Sequence, residues 1–332
     1  MHKRLFAPLA GLSLLAVSSP VPGQEQPATG LLTAPGGADE ETVGLTADRA
    51  ARMTVPVSLS GQGPYRFIVD TGAERTVIAR ELAQALKLEA GTTARVHSMT
   101  EVSNISTVVI PKLEMGRKSV DGIHAPALAR LHLGAEGMLG VDSLQSQRIL
   151  FDFGKKEMTL TPADRFERSW PADTIVVTAR SRFGHLVLVR ASVEGEKVYA
   201  IVDTGSEITI GNDALRRRLA QKGKLAFLKP IELVSVTGGR ASADLTRASR
   251  IMIGDIDIND LPIAFADVHP FRKLKLMDRP AILLGMDALR LFDKVSVDFG
   301  SKRVRLLPPD TGNRRGITIV PVTGSRIGGR RG

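Results

Sequence analysis

The chain has 332 residues, 43% apolar and 24% charged, which is enough for one large or two medium folded domains. It contains no cysteine, so a thiol nucleophile, a thiolate metal site, disulfides and a lipid-attachment cysteine are excluded. A net charge of +10 raises nucleic acid as a partner, but only 4% of residues are aromatic and no basic stripe is interleaved with stacking rings, so the expectation is no nucleic acid.

Residues 1–23 open the chain with His2, Lys3 and Arg4, an apolar run from Leu5 to Val17, and a small-residue and proline segment from Ser18 to Gly23. A positive start, a short apolar core and small residues form the pattern of a secretory signal peptide. The run is short of the roughly 20 residues that span a bilayer. Cleavage is expected near Gly23, with Ser18 as the alternative, giving an exported, periplasmic or secreted protein with no membrane span in the mature chain. Residues 24–48, rich in Gly, Pro, Ala and Thr, read as a flexible linker.

From there the periodicities favour strands. Thr54 to Leu59 and Leu186 to Val193 are each followed by a turn, at Gly61 and Gly195, and Phe67–Val69 and Ala200–Val202 continue as buried strands. Helices are expected over Arg80–Leu88 and Asp213–Gln221, with little other helix.

A duplication organises the chain. Phe67-Ile-Val-Asp-Thr-Gly-Ala-Glu-Arg-Thr-Val-Ile78 aligns without gaps on Ala200-Ile-Val-Asp-Thr-Gly-Ser-Glu-Ile-Thr-Ile210 at an offset of 133. Leu82 and Leu86 then fall on Leu215 and Leu219, one helix face in each copy. Gly137–Leu144 matches Ile282–Leu289, and Ile149–Lys156 matches Val295–Lys302. Four blocks in one order indicate two copies of one fold. Lobe one is placed at 49–166, a connection at 167–182, lobe two at 183–308 and a basic tail at 309–332. Thr174–Arg182 and Ile317–Arg326 share a β-rich pattern, so the tail has room for one strand.

The tripeptide Asp-Thr-Gly alone carries little weight, because Asp310-Thr-Gly312 is a third copy with no apolar strand before it. At Asp70 and Asp203 the carboxylate instead ends an apolar strand. Threonine can hold the following backbone there, and glycine permits a tight turn. A carboxylate in that position must be hydrogen-bonded or neutralised. Asp152-Phe-Gly154 and Asp298-Phe-Gly300 read as strand-and-turn structure, and the six histidines are too scattered for a metal site.

With its Asp-Thr-Gly turn and downstream Met138-Leu139-Gly140 or Leu283-Leu284-Gly285 in each half, the sequence resembles the pepsin and retropepsin group of aspartic peptidases, specifically the bacterial retropepsin-like proteins. The similarity covers roughly residues 50–308. It implies a mainly β fold of two homologous barrel-like lobes in a pseudo-twofold, bilobal arrangement. It also implies an aspartic endopeptidase acting on a peptide or protein, with Asp70 and Asp203 sharing one proton and activating water, and with no metal or cofactor. Aspartic peptidases are themselves the general example of two carboxylates that share one proton. Thr71 and Thr204 are expected to bond across the axis, beside Gly72 and Gly205, with Gly140 and Gly285 behind the turns. After the glycines stand Ala73 and Ser206. A hydroxyl donating to the carboxylate from that position predicts an acid shift for Ala73→Ser. Flap residues are sought at Thr237, Gly238, Gly239 and Arg240 in lobe two and at Met99 and Thr100 in lobe one, which lacks glycine and the flap tyrosine of pepsins. Both lobes keep the motif, so a monomer with an intrachain pseudo-dimer is favoured. A catalytically silent peptide-binding module of the cell envelope is the alternative.

Overall fold

The computed structural model describes residues 41–47, 52–116, 118–144, 147–165, 169–182, 184–225, 227–310 and 316–319. The expected signal peptide, most of the expected linker and the end of the tail lie outside them.

The protein is mainly β, in two lobes with matching topology. In lobe one, Met53–Leu59 turns through Ser60 and Gly61, both at positive φ, into Gln62–Val69. In lobe two, Ala191–Val193 turns through Glu194 and Gly195, again both at positive φ, into Glu196–Lys197. Two successive left-handed residues give the hairpin geometry that suits twisted strands.

The strand that carries each motif is buried. Gln62–Val69 runs parallel to Gly137–Leu139, which pairs antiparallel with Val77–Ala79. Tyr199–Val202 runs parallel to Ala281–Leu284, which pairs antiparallel with Ile210–Gly211. Having neighbours on the sheet and cover on its faces, Phe67, Ile68, Val69, Ala200, Ile201 and Val202 are at most 1% exposed. This explains their unbroken apolar run, where a half-exposed strand would alternate. The eight-stranded sheet of lobe one also pairs Met53–Leu59 with Val102–Met115, which brings the order back on itself as in a small barrel.

The lobes share a sheet. Six antiparallel strands lie in the order Glu41–Gly44, Glu157–Pro162, Gln147–Asp152, Lys294–Asp298, Arg303–Leu307 and Ile175–Arg182. The central pair comes from the repeated fourth block, with Leu150 opposite Ser296. Ile149, Phe151, Val295 and Val297 are buried there. Charged pairs flank them at Arg148–Asp298 (3.1 Å) and Lys294–Asp152 (2.9 Å). The two Asp-Phe-Gly strings end these strands, each aspartate accepting from a turn amide three residues on, Lys155 or Ser301, at 2.9 Å.

Two stretches are placed differently from the expectations drawn from sequence. Glu41–Gly44 and Thr46–Ala47, placed in the flexible linker, are strands, because Thr42 and Val43 pair with Thr159 and Met158 and bury Val43. Ile175–Arg182, placed in the connection, is the last strand of the shared sheet and also pairs with His185–Leu188. The β-rich pattern read in the tail does include a strand, Ile317–Ile319, which pairs with Ile256–Ile258. Of the two expected helices, the first ends early and occupies Arg80–Ala85, and the second occupies Asp213–Gln221 and is capped by Asn212, whose side chain accepts from Leu215 N at 3.0 Å.

Candidate active site

Asp70 and Asp203 sit at the ends of the two buried strands. Their amides donate to equivalent carbonyls on the parallel neighbours, Asp70 N to Leu139 O (3.0 Å) and Asp203 N to Leu284 O (3.1 Å). Each chain then turns so that its glycine amide faces its own carboxylate. Asp70 Oδ1 accepts from Gly72 N (2.7 Å) and Ala73 N (2.9 Å), and Asp203 Oδ1 accepts from Gly205 N (3.1 Å).

The turns clasp each other across the pseudo-twofold axis. Thr71 Oγ1 donates to Val202 O (2.9 Å) and accepts from Thr204 N (3.2 Å). Thr204 Oγ1 donates to Val69 O (2.7 Å), while Thr71 N donates to it at 3.0 Å. The clasp stacks each carboxyl group over the other lobe's glycine. A Cβ on Gly72 would lie 2.5 Å from Asp203 Oδ1, and one on Gly205 would run into Asp70 Oδ2 more severely. Glycine is required here by close approach, with no demand on φ.

Behind each turn a second network recurs. Gly140 N and Gly285 N donate to Thr76 Oγ1 and Thr209 Oγ1, both at 3.2 Å. Those hydroxyls donate in turn to Asp142 and Asp287, both at 2.8 Å. A Cβ at Gly140 would lie 2.6 Å from Arg75 O, and one at Gly285 2.6 Å from Ile208 C. Asp142 and Asp287 are absent from the residues that the motifs singled out. Their signal lies in the repeated Gly-Val-Asp and Gly-Met-Asp of the third block.

The electrostatics separate the two aspartates. Burial raises Asp70 above the ordinary carboxylate range, opposed by the Gly72 amide, by buried Arg52 and by the Ala73 amide. Burial, and then the charge of Asp70, push Asp203 up to about 8, and a carboxyl-to-carboxyl hydrogen bond adds to the shift. Arg52 donates to Leu133 O at 2.6 Å. At the repeat offset its counterpart is His185, which is buried and has Nε2 4.0 Å from Glu74 Oε1 of the other lobe. Burial lowers the His185 pKa, Glu74 partly opposing it. Neither residue stands out in the sequence, because the repeat offset pairs unlike chemistries here.

Ser206 departs from expectation. Its hydroxyl donates to Ile208 O at 2.7 Å, so only its amide bears on Asp203. The carbonyl two residues on satisfies the hydroxyl locally and turns it from the carboxylate.

Two hairpins roof the site. Ala90–His97 pairs with Val102–Met115, and the tip between them is closed by Ser98, whose Oγ accepts from Glu101 N at 3.2 Å; this side-chain bond stands in for a tip glycine. Lys229–Val234 pairs with Arg240–Ile253 through a tip that contains Gly238 at φ 89°. The tips meet, with Thr100 Oγ1 donating to Ser235 Oγ at 3.1 Å and Gly239 packed on Thr100. His269 N of lobe two donates to Met99 O at 2.9 Å, and the His97 and His269 rings are hydrogen-bonded. Beneath lies a cavity of about 150 Å³ lined by Gly72, Ala73, Asp203, His185, Ser98 and Val236, among others.

Two lobes, each contributing an Asp-Thr-Gly turn to one roofed cleft, define the retropepsin-like aspartic peptidase class. A family model described as aspartyl protease matches residues 55–143 and 189–288, one region per lobe, and the chain belongs to that family. Comparison with curated proteins gives no match.

Proposed function

We propose that the chain is an endopeptidase in which Asp70 and Asp203 together activate a water molecule. The observation that carries this reading is the seating of the two carboxyl groups on each other's glycine turns, with one proton favoured between them. Two like charges in a buried site cannot both ionise cheaply.

The surroundings support a division of roles. Asp70 accepts from two amides and lies near Arg52, so it is the better home for negative charge and acts as general base toward water. Asp203 holds the proton, polarises the scissile carbonyl by hydrogen bonding, and then supports protonation of the leaving nitrogen. The pair titrates as a unit, so these roles describe its singly protonated state. The flap hairpins exclude water and place the peptide backbone.

An exported, periplasmic or secreted monomer, cleaved near Gly23, completes the reading. N-terminal sequencing of the mature protein and its mass in solution check those two points.

The test of the activity is digestion of a peptide library by the mature protein with and without a pepstatin-type inhibitor. Internal cleavage abolished by the inhibitor is expected. Peptides that bind but stay intact across pH 3–9 would favour the silent binding module.

A further inference from the structure

The cleft is not electrostatically symmetric. Its floor is apolar, formed by Val77, Leu128 and Met138 of lobe one with Ile201 and Leu283 of lobe two. Its mouth is cationic, with Arg75, Arg95 and Lys273 set against one carboxylate, Glu74. Glu74 is already held by Lys273 at 2.5 Å. A recess of about 450 Å³ continues outward past Arg75, Arg95 and Lys273. In the adjoining recess Asp142 accepts from the Thr76 amide and hydroxyl and is tied to the turn.

Arg75 and Arg95 have no carboxylate partner among the described residues, and both are exposed. His97 and His269 share this wall, and burial together with the nearby cations lowers both pKa values, so the imidazoles add little charge near neutrality.

Lobe two does not repeat the two arginines. At the repeat offset, Arg75 corresponds to Ile208, which packs on an apolar cluster. The last paired residues of the two flap hairpins are His97–Val102 and Val234–Arg240. Counting back from them, Arg95 stands where lobe two has Glu232, which is paired with Arg240. The two arginines of the mouth without a carboxylate partner among the described residues therefore belong to lobe one, and the paired Lys273 joins them from lobe two.

We propose that Arg75 and Arg95 form a specificity subsite for an acidic side chain, so that the substrate is a peptide with an apolar residue next to the scissile bond and Asp or Glu further out on the lobe-one side. This rests on the peptidase reading. The apolar cavity takes the first side chain. An extended peptide advances about 3.3 Å per residue, which brings a carboxylate one or two positions later to the rim. Guanidinium groups bind carboxylates with paired donors, which favours arginine over a diffuse positive field.

The experiment uses N-acetylated, C-amidated peptides that share one cleavable core and carry Asp, Asn or Lys at each position within four residues of the scissile bond. Amidation removes the terminal carboxylate, and a free-acid set shows whether the end group is what is recognised. At low salt the Asp peptide should exceed its Asn twin in kcat/KM by about fivefold, the upper range for exposed pairs, with the gap closing in high salt. Arg75→Gln and Arg95→Gln should each shrink the ratio, and Arg95→Glu should shift preference to the Lys peptide. Binding of the same peptides to Asp203→Asn, read by fluorescence anisotropy, reports the subsite without catalysis. Cleavage with equal Asp, Asn and Lys rates, or a preference confined to free-acid peptides, overturns the subsite. Charge-selective binding with no cleavage by the unmodified protein supports the subsite and overturns the peptidase reading.

Discussion

Thr71 and Thr204 each use one hydroxyl to serve two backbone groups of the opposite lobe. Thr204 Oγ1 takes the Thr71 N–H at 3.0 Å and gives its proton to Val69 O at 2.7 Å, and Thr71 reciprocates with Thr204 N and Val202 O. Thr204 is fully buried and Thr71 nearly so. Thr204→Ala leaves a donor and an acceptor unpaired in a dry interface, each costing about 1–3 kcal/mol. A loss of about 2–6 kcal/mol is expected in urea unfolding, with Thr204→Ser recovering most of it. Equal stabilities of the Ala and Ser variants would refute the hydroxyl's role.

The glycine beneath each carboxyl group sets a steric test. Gly205→Ala places a methyl group against Asp70 Oδ2 and Gly72→Ala one against Asp203 Oδ1, so a carboxyl group or a turn must move. Overpacking of this kind costs about 1–3 kcal/mol in stability. The activity loss should exceed that stability loss, because the carboxyl pair itself is displaced. An active Gly205→Ala variant of unchanged stability would contradict the stacking.

The pH dependence has a definite sign. Asp203 is pushed up from the usual carboxylate range to about 8, so the native state binds a proton that the unfolded chain releases near pH 4. Its contribution to stability is fully present below pH 4 and fades as pH rises to about 8. The slope is on the order of 1 kcal/mol per pH unit within that window. Asp203→Asn should flatten this part of the stability profile, seen as melting temperature against pH. Cleavage should fall on the alkaline side as the shared proton leaves. An unaltered stability slope in Asp203→Asn would show that the proton resides elsewhere.

Ala73→Ser now carries a different expectation from the one its position first invites. In lobe two the equivalent hydroxyl serves the Ile208 carbonyl, and the matching acceptor in lobe one is the Arg75 carbonyl. The serine hydroxyl should turn there, leaving the limbs of the pH–rate profile within a few tenths of a unit. An acid shift of a full unit would mean that the hydroxyl reaches Asp70.

What the sequence revealed was local and repeated. Asp70 and Asp203, their glycines, Gly140, Gly285 and the helix over Asp213–Gln221 all sit in segments whose pattern recurs at one register. What it concealed depends on contacts between the repeats. Ile149–Phe151 and Val295–Val297 were recognisable as strands, but nothing local says that they pair with each other. Arg52 and His185 share the repeat offset yet differ in chemistry, so the repeat itself hid them. Glu41–Gly44 lies beside a Gly- and Pro-rich stretch, and its strand exists because Glu157–Leu160 offers an edge. The flap of lobe one lacked the glycine expected at a tip, and the Ser98 side chain closes the turn in its place.

One measurement bears on the dyad above all others: kcat/KM for a single identified peptide, compared among the unmodified protein, Asp70→Asn and Asp203→Asn, with folding of each confirmed by circular dichroism. Both variants should remain folded and lose at least about 10³-fold in rate, since the carboxyl groups act as one unit and either loss removes it. Cleavage at the unmodified rate by either folded variant would contradict a shared role for Asp70 and Asp203.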